Sequence, residues 1–142
     1  MNIQEANGKQ IAKILEMIGP GDTQIRTKSE WVLSIYYSDR DDNTLTIEMC
    51  LSISLQGDPL FDPLMRIELA LNDKEEIISA RPIYYLSTSP FYTEEIYAKD
   101  NSSCYNPKLY EKTPGELDRR LNEWLGNLYI QGYLTEGVIT KR

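Results

Sequence analysis

The chain contains no histidine. That absence removes Ser-His-Asp and Cys-His catalytic groupings, imidazole-ligated zinc or iron, and imidazole acid-base steps within a single chain. Cysteine is scarce too: Cys50 and Cys104 lie far apart, too few for a structural zinc site, and are expected to be free thiols in a reducing compartment. Apolar runs stop at three or four residues, far short of the roughly 20 that a membrane helix needs. The opening MNIQEANGKQ also lacks the basic start and apolar stretch of a secretion signal, so the cytoplasm is the expected location and no membrane partner is expected. Gly-x-Gly-x-x-Gly, P-loop and Gly-x-Ser-x-Gly stretches do not occur, which leaves nucleotide and cofactor binding without a signature. Basic residues are scattered and the net charge is −7, so direct binding to a nucleic-acid backbone has no electrostatic footprint.

What is present is ordinary globular material. Apolar residues make up 41% and charged residues 26% of 142 positions, enough to bury one core and too apolar for disorder. Residues 1–142 are therefore read as a single domain. Ile11, Ile14, Leu15 and Ile18 recur at helical spacing ahead of Gly19-Pro20-Gly21, which predicts an amphipathic helix over about 4–18. Trp31, Leu33, Ile35 and Tyr37 then alternate with polar neighbours, and from Leu45 to Leu55 the period of two is nearly perfect. A third strand is expected over Leu64–Leu71, a tight Asn72–Glu75 turn, a fourth strand over Ile77–Leu86, and a fifth over Phe91–Ala98. Thr113, Pro114 and Glu116 form a capping-box pattern ahead of the apolar stripe Leu117, Leu121, Trp124, Leu125 and Leu128, with Gly132 placed to end that helix. The resulting expectation is an α+β fold: a two-layer domain in which an antiparallel meander of four to five strands carries an N-terminal and a C-terminal helix on one face.

Chemistry is left to carboxylates and tyrosines. Asp58 and Asp62 precede Pro59 and Pro63 in GDPLFDPLMRIELAL; with Glu68 they could hold magnesium or share acid and base roles, although Asp-Pro is also turn-forming. Asp39, Asp41 and Asp42 lack the glycine and closing glutamate of a calcium loop and read as a solvated hairpin tip. Trp31 and Trp124 read as core. Ten tyrosines stand against two phenylalanines, with Tyr84, Tyr85, Tyr92, Tyr97, Tyr105 and Tyr110 concentrated between positions 84 and 110. Tyrosine brings apolar area and a polar tip at low entropy cost, so these residues, together with Glu94 and Glu95, are the expected partner-binding set. No catalytic or metal-binding residue is assigned.

SLQGDPLFDPLMRIEL followed by LNEWLGNLYIQGYL resembles a group of small, uncharacterised bacterial proteins carried on plasmids, integrative elements and phages, in which a Gly-Asp then Asp-Pro-x-Met segment enters a strand and the closing helix carries Trp-Leu-x-Asn before Gln-Gly. A second, chromosomal family is similar in its order of helix, meander, hairpin, Tyr-x-Pro-Asn-like loop and closing helix; here that loop reads YNPKLY, with Asn and Pro reversed. The resemblance spans about residues 10–134 and implies an α+β domain in a mobile-element setting, with no catalytic residues to carry over. The leading expectation is an acidic, non-enzymatic protein-binding module that inhibits a host defence protein by occupying its surface. The alternatives are a small-ligand or magnesium-dependent hydrolytic domain using Asp58, Asp62 and Glu68, and a structural homodimer formed through a sheet edge or the tyrosine face.

Overall fold

The computed structural model describes residues 1–141. Helix α1 (Ile3–Ile18) starts where the Asn2 side chain accepts the Glu5 N–H, satisfying one of the amides that a helix start leaves without a partner. Its buried stripe is Ile11, Ile14 and Ile18, as the spacing predicts, extended at the N-terminal end by Asn7 and Gly8. The strands β1 (Thr23–Arg26), β2 (Val32–Arg40), β3 (Thr44–Leu55), β4 (Asp58–Leu71), β5 (Ile77–Thr88) and β6 (Thr93–Tyr97) follow, then α2 (Glu116–Ile130) and β7 (Val138–Lys141). They form one antiparallel sheet of seven strands in the order β6-β5-β4-β3-β2-β1-β7.

The α+β class is thus as expected, but the sheet has seven strands where the sequence pattern suggests four to five. The two extra strands are β1 and β7, four residues each, too short to show a convincing alternation. A second correction concerns the Asp-Pro pairs. They do not turn the chain before a strand but lie inside β4, and the turn is made by Gln56 and Gly57, with φ of 53° and 87°. Two consecutive residues at positive φ match the right-handed twist of the flanking strands in a two-residue hairpin. Pro59 then pairs with Ser54, and Asp62 and Pro63 occupy a register shift opposite the β3 segment Cys50–Ser52, joined by a cis peptide. At such a bulge a missing N–H does not interrupt a regular ladder.

The pleat sorts the side chains. Leu33, Ile35, Ile47, Met49, Met65, Ile67 and Leu69 are fully buried on one face and share a core with Ile11, Ile14 and Ile18 of α1 and Leu121, Trp124, Leu125 and Leu128 of α2. A small satellite of Ile96, Ala98 and Leu117 packs beneath the start of α2. That start differs from the expected Thr113 cap. The N-cap is Gly115 in left-handed geometry, and the Glu111 carboxylate accepts the Leu117 N–H at 2.9 Å, while Glu116 reaches back to the Lys112 N–H and Thr113 accepts from Arg119. A carboxylate from outside the helix takes the role assigned to the threonine hydroxyl, and its charge suits the positive end of the helix dipole. The other end is as expected, with Gly132 at φ 87° just beyond the last turn.

Candidate binding surfaces

The sheet face turned away from the core carries a matched row across five strands: Tyr36, Glu48, Arg66, Tyr84 and Tyr97 stand opposite one another in register. Arg66 lies 3.4 Å from Glu48 and its guanidinium sits 5.6 Å from the Tyr84 ring centre. Tyr84 in turn meets Tyr97 at 4.8 Å between ring centres with the rings tilted by 59°, and its hydroxyl donates to Glu95. Burial together with that carboxylate pushes the Tyr84 phenol well above its ordinary range, so it stays a neutral donor. In the next row Leu64 and Leu86 add partly exposed apolar area between the buried Ser34 and Cys50 and the charged Glu95, and Phe61 opposite Ser52 adds more. These rings and ion pairs are held by each other before anything arrives. Partly exposed ion pairs of this kind add little stability, about 0–1 kcal/mol each.

The residues expected to bind a partner divide by the pleat. Tyr84, Glu95 and Tyr97 share the open face. Tyr85 and Glu94 point the other way: Arg120 of α2 lies 4.7 Å above the Tyr85 ring and donates to Glu94 at 2.9 and 3.3 Å, tying the helix to β5 and β6. Tyr110 is half-buried in the strap that follows β6, its hydroxyl 3.4 Å from the Asn101 carbonyl and 3.5 Å from that of Cys104. Tyr92 and Tyr105 are exposed, in the β5–β6 turn and in the loop before Pro107; Phe91 beside Tyr92 is 94% exposed, an apolar tip absent from the expected set.

The carboxylates of the alternative reading separate. Glu68 is held by Arg81 on the open face, where Arg81 also pairs with Asp100. Asp58 stands at the hairpin end, ten residues from Glu68 and so roughly 30 Å away along the strand. Asp62 accepts a 3.3 Å hydrogen bond from Ser87. Among the described residues no group of three or more Asp, Glu, Cys or His side chains is placed to hold a metal ion. Asp41 and Asp42 form the hairpin tip, with Asp41 accepting the N–H groups of Asn43 and Thr44, while Asp39 lies within β2 opposite Thr46.

Two adjoining cavities open along α2 on the core side of the sheet. One, of about 420 Å³, is lined by Asp62, Tyr85, Arg120, Glu123, Trp124 and Asn127 among others; the second, of about 340 Å³, includes Ser29, Trp31 and Tyr133. Leu51, Asp62 and Gln131 belong to both, so they form one groove. Trp124 belongs to the core and Trp31 packs against it, as expected, and each also lines this groove; sequence spacing alone gave no signal that the two lie along it together.

Comparison with family models, curated proteins and solved structures finds no match. Among the described residues no helix is long and apolar enough to cross a membrane.

Proposed function

We propose that this chain is a non-catalytic protein-binding module that docks through the open face of its sheet on a basic surface of another protein. The observation that carries the reading is the preorganised row Glu48, Arg66, Tyr84 and Tyr97 on the face opposite the core. Aromatic side chains fixed by their neighbours lose little freedom on binding, and the net charge of −7 favours a cationic partner. In the mobile-element setting that the sequence resemblance implies, that partner is a host defence protein and binding inhibits it by occupation. Tyr92, Phe91 and Tyr105 extend the reach of the surface beyond the strands.

The test is a stoichiometric binding assay with a partner recovered from host lysate, comparing the wild type with Tyr84→Ala and Tyr97→Ala. Saturable one-to-one binding that weakens at least about tenfold in either variant, and weakens further with added salt, supports the reading. Equal binding by wild type and variants whose thermal stability is unchanged removes it.

A further inference from the structure

Strand β6 is the last strand on its side of the sheet, and the strap that follows it pairs with only one end of its outer edge. The ladder fixes which backbone groups face outward. The register with β5 runs unbroken from the Thr88/Thr93 pair to the Tyr84/Tyr97 pair, and on either side of it the Ser89 N–H donates to the Tyr92 carbonyl at 2.9 Å and the Ala98 N–H to the Ile83 carbonyl at 3.0 Å. Bonded pairs alternate along an antiparallel ladder, so Glu94 and Ile96 are tied to β5 while Thr93, Glu95 and Tyr97 turn their N–H and C=O groups outward. Tyr97 agrees: its carbonyl accepts the Glu111 N–H of the strap at 3.0 Å. The outward groups of Thr93 and Glu95 meet no protein partner among the described residues. A cavity of about 270 Å³ runs along this stretch, lined by Tyr92 and β6 and, from the strap, by Lys108, Leu109 and Lys112. Its acids are already engaged, Glu94 and Glu116 by Arg120 and Glu95 by the Tyr84 hydroxyl. Its two lysines are not: both ammonium groups are exposed, without an ion pair or hydrogen bond among the described residues.

We propose that this groove takes an acidic peptide segment by strand addition, the segment lying along β6 as a further strand of the sheet. Its backbone exchanges hydrogen bonds with Thr93 and Glu95, and a carboxylate on it reaches Lys108 and Lys112. β6 contains no proline, lysine or bulge to bar such pairing. Its two glutamates turn to opposite faces of the sheet, each held there by its own partner, which leaves the space beside the backbone clear. The strap sets the length of the segment. It closes the edge at Tyr97, so the open stretch runs from Tyr92 to Ile96, roughly 14 Å of extended chain and room for about four residues. Tyr92, 65% exposed, and Leu109 offer apolar surface to the side chains that alternate with the acid. The two uncommitted lysines select an acidic segment over a basic one. A second copy of the chain is a poor occupant, because pairing β6 with β6 about a two-fold axis sets Glu94 and Glu95 against their own copies. The site lies on the edge of the sheet rather than on its open face and stands or falls separately from the Tyr84 row.

The experiment titrates the full chain by calorimetry, up to about 1 mM peptide, with acetyl-Thr-Val-Glu-Val-Glu-amide and with the same peptide carrying Lys in place of both Glu. Amide hydrogen exchange of the chain, followed by NMR, locates the bound peptide. Saturable binding of the acidic peptide is expected, at least about tenfold tighter than that of the basic one, with new protection of the Thr93 and Glu95 amides. The acidic peptide N-methylated at every amide lacks the ladder donors and should bind at least about tenfold more weakly. Thr93→Pro removes an outward donor and leaves the β5 ladder untouched, so it should weaken binding at least about fivefold. Lys108→Gln and Lys112→Gln together should weaken it at least about tenfold. A flat titration, equal affinity for the acidic and basic peptides, protection away from β6, or full affinity in the N-methylated peptide or the double lysine variant overturns the proposal. The lysine variants change exposed side chains only and keep it testable should Thr93→Pro fold poorly.

Discussion

Cys50 sits on the open side of the sheet yet is 4% exposed, and burial, with Glu48 nearby, pushes its thiol up to about 11. Cys104 lies in the strap after β6, partly exposed, its thiol donating to the Asn106 carbonyl at 3.0 Å. Since the thiolate is the reactive species, iodoacetamide at about pH 8 should alkylate Cys104 in the native protein and spare Cys50, with both modified in urea; mass spectrometry of the labelled peptides checks it. Asp118 gives a second prediction with a definite sign. Burial holds its carboxyl above the usual range, against hydrogen bonds from Gln4 that pull it down. The folded state therefore binds this proton more tightly than the unfolded chain, and stability is lost as pH rises through the raised value. Asp118→Asn keeps an acceptor for Gln4 and removes the charge, so its melting temperature should exceed the wild type's at about pH 7 and the gain should vanish near about pH 3, where the native carboxyl is protonated in both states. These two residues also show how far a sequence reaches at this scale. Both thiols were legible as unpaired, but which one is shielded depends on the strands beside β3, as does the split that turns Tyr84 outward and Tyr85 toward Arg120.

At the scale of elements, α1 lies so close to β5 that a Cβ added at Gly8 would stand 2.7 Å from the Ser79 Cα and 2.8 Å from its carbonyl carbon. In an isolated helix Gly→Ala is favourable by about 1 kcal/mol. Here the contact is with backbone, which cannot swing aside, so Gly8→Ala should instead destabilise by about 1–3 kcal/mol, measurable by urea unfolding. The apolar periodicities of α1, α2 and β2 to β5 were legible because each is long enough to repeat its pattern against one core. β1 was not: Thr23–Arg26 has a single buried apolar side chain, Ile25, and owes its place to neighbours on both sides. β4 began six residues earlier than the alternation showed, because a bulge at Asp62-Pro63 breaks the period of two while the chain continues in the sheet. The groove was hidden for a related reason. Asp62, Trp124 and Trp31 come from three separate segments, and only the closure of α2 over the sheet brings them to one wall.

For the molecule as a whole, the two edges of the sheet are finished differently. Beyond β6 the chain itself is laid along the edge, with Tyr110 bridging to Tyr97 and the Glu111 N–H donating to the Tyr97 carbonyl at 3.0 Å. The other edge is β7, whose four residues are all exposed, with Val138 and Ile139 among the outlying apolar side chains. Its work is directed inward: it pairs along the whole of β1, Gly137 ahead of it packs against Ile25, and the Lys141 ammonium donates to Thr23 at 2.7 Å and to the Gly19 carbonyl at 3.1 Å. A charged residue on a short edge strand also discourages further strands from adding. Ending the chain after Thr135 would strip this cover, expose fully buried Ile25, and leave β1 as an unpaired edge beside β2. The expected cost is about 2–3 kcal/mol from the isoleucine alone. The truncated chain should melt earlier and, unlike the intact protein, show concentration-dependent light scattering as β1 edges pair between molecules. Scattering by the intact chain at the same concentrations would mean that β7 does not act as a guard but joins molecules through its own edge.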